Sequence, residues 1–120
     1  MKIAITSTGT EMNSDLDPRF GRAQYFIIYD IENNKIVEVI NNNSNLNASG
    51  GAGTSAAQVI ADNDATTVIS GNFGPNASKG LLAFGIKMYQ SDVQKIEEVV
   101  AAYQAGTLVE ISGATVAGHQ

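Results

Sequence analysis

The 120-residue sequence contains no cysteine and a single histidine, His119, which is the penultimate residue. Without thiolates the protein cannot bind a metal ion or an iron–sulfur cluster through sulfur ligands of its own cysteines, and it cannot attack a substrate through a thiol. A catalytic histidine must be held in place by its surroundings, so a penultimate histidine argues against nucleophile–histidine catalysis. His119 remains a candidate metal ligand, and an unstructured tail is the alternative.

Basic residues are scarce, since 7 Lys and Arg stand against 12 Asp and Glu and give a formal net charge of −5. Nucleic-acid binding needs a basic surface that displaces counterions, so we expect no nucleic-acid partner. No apolar run approaches the roughly 18 residues that cross a membrane. The chain enters a strand pattern without signal-peptide architecture, which predicts a soluble, cytoplasmic protein that has no membrane partner.

Alternating or β-branched apolar runs predict five strands. They cover residues 2–7, 25–30, 35–40, 66–70 and 86–89. The short connection between the second and third strands predicts an antiparallel hairpin. A last segment, 108–111, is either a further short strand or an extension packed on the surface.

Three helices are predicted among these strands, at about 55–63, from Pro75 to just before Gly85, and from a Ser91–Gln94 capping box to a cap at Gly106. This order of elements predicts one α/β domain over residues 1–112. We expect a mixed five-stranded sheet in which only strand 2 is antiparallel. Residues 113–120 are expected to form a weakly ordered tail.

The segment 66–89 reads as a strand, a loop, a helix and a strand, and such units cross over right-handed to a parallel neighbour. In folds of this kind, ligands bind beyond the carboxyl ends of the strands, near helix N-termini. The loop 71–76 is therefore the first candidate binding segment. Its candidate site residues are Asn72, Phe73, Gly74 and Asn76.

A second candidate segment is Gly51-Ala52-Gly53, which begins a match to the G-x-G-x-x-A dinucleotide fingerprint. The match is poor, because a polar linker separates it from the preceding strand and no acidic residue lies about 20 residues further on. Two other readings stay open. The glycines either give a flexible helix entry or form a backbone cradle for an anion.

The third candidate segment is the polar loop after the first strand, which carries Arg19, Phe20 and Arg22. Two guanidinium groups could clamp an anion, or they could balance the carboxylates of Asp15 and Asp17. These carboxylates with Glu11 could instead bind Mg²⁺. The parallel order would bring loops 9–22, 49–55 and 71–76 to one rim and create an anion-attracting patch. No general base accompanies the patch, which favours binding over catalysis.

Five motifs carry a resemblance to a known family. They are Lys2-Ile3-Ala4-Ile5, Asp17-Pro18-Arg19-Phe20-Gly21-Arg22, Gly51-Ala52-Gly53, Gly71-Asn72-Phe73-Gly74-Pro75-Asn76-Ala77 and Gly85-Ile86-Lys87. In combination they resemble the dinitrogenase iron–molybdenum cofactor biosynthesis family, the group of small NifX-like and NifB C-terminal-like domains. The resemblance implies a ribonuclease H-like, three-layer α/β/α fold that binds or carries a metal–sulfur cluster or its precursor. The chain looks closest to small stand-alone members, among which a molybdenum–copper sulfide cluster is held without a cysteine bond.

The resemblance implies a non-enzymatic carrier of an anionic, molybdenum-containing metal–sulfur cluster, of Fe–Mo–S or Mo–Cu–S type, held non-covalently. The expected cluster-binding residues are Arg19, Phe20, Arg22, Gly51, Ala52, Gly53, Asn72, Phe73, Gly74 and Asn76. Met12 and His119 are the candidate metal ligands. The alternative is a protein-interaction module of cofactor assembly or redox regulation that binds no cluster itself. Fold analogy alone adds a metal-dependent phosphoryl-transfer or nucleic-acid enzyme as a third hypothesis.

Overall fold

The computed structural model describes residues 1–42 and 52–115. The strands are β1 (Lys2–Ser7), β2 (Tyr25–Asp30), β3 (Lys35–Asn41), β4 (Thr67–Ser70), β5 (Lys87–Gln90) and β6 (Val109–Ile111). Within these residues the helices are α1 (Ala52–Asp62), α2 (Pro75–Ala83) and α3 (Ile96–Ala105). The α/β class predicted from the sequence is confirmed.

The strands form one mixed sheet in the order β3-β2-β1-β4-β5-β6. The central strands β1, β4 and β5 run parallel, whereas β2 is antiparallel to both of its neighbours. β6 pairs antiparallel with β5 and is a sixth strand, so the prediction of five strands with only strand 2 antiparallel is wrong. A three-residue strand is too short for a local pattern to identify, because its existence depends on pairing with β5.

Helices cover both faces of the sheet because each inner strand is apolar on both sides. On one face, α1 and α2 pack on a core that includes Ala4, Phe26, Ile28, Val68 and Met88. On the other face, α3 packs on a core that includes Ile3, Ile5, Ile27, Tyr29 and Ile69. The ribonuclease H-like classification stays a prediction.

The local helix signals at Pro75 and Gly106 are confirmed, and the signal at Ser91 is wrong. Pro75 is the first residue of α2, and Gly106 ends α3 in the left-handed region at φ 74°. α3 begins at Ile96 with Lys95 as its N-cap, and not at Ser91 as the capping-box pattern predicts. The Gln94 side chain does bond Ser91, but the backbone around Lys95 pairs with residues 14–16 of the long loop instead of entering the helix.

α1 begins at Ala52, three positions before the predicted start at residue 55. None of the helices in the two described ranges combines the length and the apolar character that a bilayer crossing requires. The boundary predicted at residue 112 stays a prediction.

Candidate functional site

Buried hydroxyl groups join the carboxyl ends of β1 and β4. Thr6 Oγ1 donates to the carbonyl oxygen of Asp17 at 2.7 Å and lies 2.9 Å from Ser70 Oγ. The Asp17 N–H donates back to the Thr6 carbonyl oxygen at 3.0 Å. Thr6 and Ser70 are fully buried. These contacts hold the arginine-bearing loop against the ends of two neighbouring parallel strands.

The loop after β4 passes directly against the arginine-bearing loop. A Cβ atom at Gly71 would lie 2.7 Å from Pro18 Cα and 2.9 Å from the Pro18 carbonyl oxygen, so this approach requires glycine. The next residue, Asn72, accepts a hydrogen bond from the Phe20 N–H at 3.2 Å, and residues 19 and 72 form a parallel bridge. We call residues 17–22 and 71–76 together the carboxyl rim.

Three phenylalanine rings lie beneath the carboxyl rim. The ring centroid of Phe20 is 5.4 Å from that of Phe73 and 5.5 Å from that of Phe26 in β2. All three side chains are 0% exposed. Phe20 and Phe73 therefore anchor the two rim loops in the core, and their rings support the rim from below.

Arg19 is the exposed cation of the rim. Its side chain is 49% exposed, and its Nε lies 3.8 Å from Asp17 Oδ1. The Asp17 carboxylate is itself buried and accepts hydrogen bonds from the backbone N–H groups of Arg19 and Gln24, at 3.1 and 3.3 Å. Arg22, in the same loop, is half-buried. Asp17 thus shapes the loop, and the guanidinium group of Arg19 reaches solvent.

Helix α2 starts at the rim. Its N-cap is Gly74, which has an extended backbone and no side chain to cap the first turn, and the side chain of Asn76 in that turn is exposed. Backbone N–H groups at a helix N-terminus carry partial positive charge. The rim therefore combines an arginine with an uncapped helix start.

The Gly51-Ala52-Gly53 segment is only partly described. Ala52 is the first residue of α1 and Gly53 the second, while Gly51 lies outside the described residues. α1 ends shortly before the amino end of β4, so by chain direction its N-terminus lies toward the same edge of the sheet as the rim. This orientation is the one that the anion-cradle reading requires.

Met12, one of the two proposed metal ligands, lies away from the rim phenylalanines. Met12 packs with the core on the α3 face, and its carbonyl oxygen accepts from the Glu97 N–H at 2.9 Å, whereas the rim phenylalanines belong to the core on the opposite face. His119 lies outside the described residues. Across residues 1–42 and 52–115, no three His, Asp or Glu side chains form a group that could hold a metal ion.

Sequence reasoning missed two residues that contact the rim. Asn42 is buried, and its side-chain amide donates to the carbonyl oxygens of Gly21 and Ala23 at 3.2 and 2.8 Å. The sequence did not indicate this contact, because Asn42 stands near the start of an asparagine-rich run. Thr115 accepts a hydrogen bond from the Phe73 N–H at 2.8 Å, and its own N–H donates to the Phe73 carbonyl oxygen at 2.9 Å. No local pattern in the sequence signals this contact.

Comparison with known proteins gives relatives along nearly the whole chain. An uncharacterized protein of Methanocaldococcus jannaschii is 34% identical over 110 residues, which are 90% of this chain and 89% of that protein. The apo form of the orange protein from Desulfovibrio gigas superposes with a TM-score of 0.92 and 33% identity over 96% of both chains. A Thermotoga protein that is provisionally designated NifB gives a TM-score of 0.84 and 33% identity over 98% of both chains.

The family profile described as dinitrogenase iron-molybdenum cofactor matches residues 1–106. This range includes both loops of the rim and the glycine segment at the start of α1. The resemblance inferred from the sequence motifs is confirmed, and the chain belongs to the dinitrogenase iron-molybdenum cofactor family.

Proposed function

We propose that this protein binds an anionic, molybdenum-containing metal–sulfur cluster at the carboxyl rim and carries it without a covalent bond and without catalysis. The observation that carries the proposal is the parallel bridge between residues 19 and 72, which sets the backbone of Arg19 beside the loop that leads into α2, while the Arg19 side chain is 49% exposed. The cluster is the cargo of this site. A cluster of either the Fe–Mo–S or the Mo–Cu–S type has the negative charge that the arginine-bearing rim attracts.

The groups at the rim suit such a cargo. Arg19 and Arg22 supply positive charge on a chain whose net charge is −5. The first turn of α2, at Asn76, supplies backbone N–H donors, and the start of α1, at Ala52 and Gly53, supplies others. Sulfide atoms of a thiomolybdate are already bound to metal, so a protein without cysteine can hold them through charge and hydrogen bonds.

The non-enzymatic part of the proposal is supported by the chemistry of the rim. Residues 17–22 and 71–76 include no serine, threonine, tyrosine, histidine or lysine that could act as a nucleophile or a general base. The Asp17 carboxylate accepts from two backbone N–H groups and faces Arg19, so it serves the loop instead of a substrate. The family and the apo form of the orange protein are consistent with a cofactor-related protein that is filled and emptied.

Reconstitution tests this proposal. Apo-protein is mixed anaerobically with tetrathiomolybdate and Cu(I), freed of excess reagent by gel filtration, and analysed for visible absorption bands and for molybdenum, copper and sulfide. We expect protein-bound molybdenum and new charge-transfer bands. Arg19→Ala with Arg22→Ala should lower the binding constant by about tenfold or more for each lost contact with the cluster, because each charge-assisted contact is worth roughly 1.5–3 kcal/mol.

The matched control is Lys35→Ala with Lys87→Ala. This double variant makes the same change in net charge at two exposed positions of β3 and β5, at the start of each strand and away from the rim. It should keep the binding of the original chain to within about twofold, a difference that screening of distant surface charges allows. Equal loss in both double variants would show that net charge alone governs binding and would reject the rim as the site.

A further inference from the structure

The C-terminal segment 113–115 closes against the rim through one residue. Thr115 Oγ1 accepts from the Phe73 N–H at 2.8 Å, and the Thr115 N–H donates to the Phe73 carbonyl oxygen at 2.9 Å. The same hydroxyl oxygen lies 3.5 Å from Asn72 Oδ1, a longer and weaker contact. Both backbone polar groups of Phe73 are therefore occupied by Thr115.

Residues 72 and 73 are thus held between two segments. On one side, the Phe20 N–H donates to the Asn72 carbonyl oxygen, and residues 19 and 72 form a parallel bridge. On the other side, Thr115 forms hydrogen bonds with Phe73. The two sides differ in strength. On the Arg19 side, the buried ring of Phe20 holds the loop in the core. On the Thr115 side, the preceding residues 112–114 are half-exposed or exposed, and a Cβ atom at Gly113 would meet no atom within 4 Å.

We propose that residues 113–115 form a latch that competes with the bound anion for the N–H of Phe73, so that loading the rim releases the latch. This inference rests on the proposed function and adds a means of regulating the same site. The physical reason is that a neutral hydroxyl oxygen is a weaker acceptor than an anion, for which a hydrogen bond is charge-assisted and about twice as strong. Thr115 acts through Phe73 and is a positioning residue.

The latch keeps the Phe73 N–H satisfied while the rim is empty. A partly buried donor without an acceptor costs stability, so an empty rim benefits from the Thr115 hydroxyl. Because hydrogen bonds hold the latch and no described apolar side chain of residues 112–115 adds to the core clusters, its release costs little. The segment therefore lowers the affinity for the cargo without preventing loading.

Thr115→Val and Thr115→Ser separate the latch from a purely structural role. Valine has the shape of threonine without the hydroxyl group, whereas serine keeps the hydroxyl group. The probe is tetrathiomolybdate with Cu(I), titrated into each full-length apo-protein, and amide hydrogen exchange of Phe73 and Thr115 is followed by NMR. We expect Thr115→Val to expose the Phe73 amide to exchange and to bind the probe roughly fivefold more tightly, the factor that one hydrogen bond of ordinary net strength makes. Thr115→Ser should match the original chain in both measurements.

In the original chain, adding the probe should also accelerate exchange of the Thr115 amide. Tighter binding by Thr115→Val together with this acceleration supports the latch. Equal or weaker binding by Thr115→Val, while the original chain still binds the probe, overturns the latch and leaves the proposed function standing. Binding of the probe by none of the three proteins overturns both, and a Phe73 amide that exchanges equally in all three apo-proteins overturns the latch alone.

Discussion

Pro18 and Gly71 belong to loops that follow different strands, yet Pro18 Cα lies 2.7 Å from the position that a Cβ atom of residue 71 would occupy. The two loops of the carboxyl rim are therefore in direct backbone contact, with no side chain between them. Since real Cβ atoms essentially never come this close to backbone atoms, any side chain at residue 71 must push the loops apart.

Gly71→Ala tests this contact. We expect a loss of about 1–3 kcal/mol in the free energy of unfolding, the usual cost of forcing an extra carbon into a packed site, measured by urea denaturation. Gly113→Ala is the matched control, because its Cβ atom meets no atom within 4 Å, and it should leave stability almost unchanged. Equal stability of the two variants would contradict the close approach.

Phe73→Ala tests the anchoring of the rim in the core. Removing this fully buried ring should cost about 3–5 kcal/mol through lost burial and a residual cavity. Phe84→Ala makes the same chemical change at a ring that is 45% exposed, so its cost should be clearly smaller. Thermal or urea unfolding of both variants checks the difference, and similar losses would argue against Phe73 as an anchor.

Asp17→Asn tests how the arginine-bearing loop is shaped. An amide NH₂ group cannot accept the hydrogen bonds that both carboxylate oxygens now accept from Arg19 N–H and Gln24 N–H. We expect a loss of about 1–3 kcal/mol in the free energy of unfolding, since a partly buried backbone N–H group is left unpaired. The control is Asp15→Asn, which changes an exposed carboxylate two residues away and should lower the free energy of unfolding only slightly. If Asp15→Asn destabilised the protein as much as Asp17→Asn, the cause would be the change in net charge.

Asn33→Ala tests a pH dependence at the turn between β2 and β3. The Asn33 side chain donates to Asp30 Oδ2 at 2.7 Å, and this hydrogen bond is the main reason that the pKa of Asp30 lies below its usual 3.8. A lowered pKa means that the folded state favours the carboxylate. The stability that this preference contributes is fully present above pH 3.8 and is lost as the pH falls through the lowered pKa of Asp30.

In Asn33→Ala the pKa of Asp30 should rise toward 3.8, and the loss of stability in acid should become smaller. An NMR titration of the Asp30 carboxyl carbon measures the pKa directly. Asn63→Ala removes an asparagine side chain that donates to the Val59 carbonyl oxygen in another part of the chain, and it should leave the pKa of Asp30 as it is. If the pKa of Asp30 were unchanged in Asn33→Ala, the Asn33 hydrogen bond would not be the main cause of the lowered pKa.

The sequence predicted those parts of the fold that are set by local chemistry. Within a helix Pro75 fits only the first turn, and Gly85 and Gly106 take the positive φ that ends a helix, so each is read correctly without long-range information. The Ser91–Gln94 pair was misleading because its side chains do bond to each other, but the neighbouring backbone pairs with the long loop. The sequence left β6 ambiguous because long-range pairing also decides its structure. Its three residues form a strand only by pairing with β5.

The candidate site was predictable in its segments and less so in its details. Chain direction alone brings the arginine-bearing loop and the loop after β4 to one edge of the sheet. An aromatic residue in a polar loop needs something to pack against, which indicates that Phe20 is ordered, but the full burial of Phe73 could not be derived from its neighbours Asn72 and Gly74. The contact of Thr115 with Phe73 joins positions 42 residues apart, and no pattern in the tail indicates it.

The placement of β1 between β2 and β4 has a consequence for biosynthesis. Thr6 and Ser70, whose hydroxyl groups meet at the carboxyl ends of β1 and β4, are 64 positions apart, so translation completes the first three strands well before the fourth. Until then, one side of β1 has no strand to pair with in the growing polypeptide, and such an open edge invites association with other nascent chains. We therefore expect productive folding to wait for β4 to leave the ribosome.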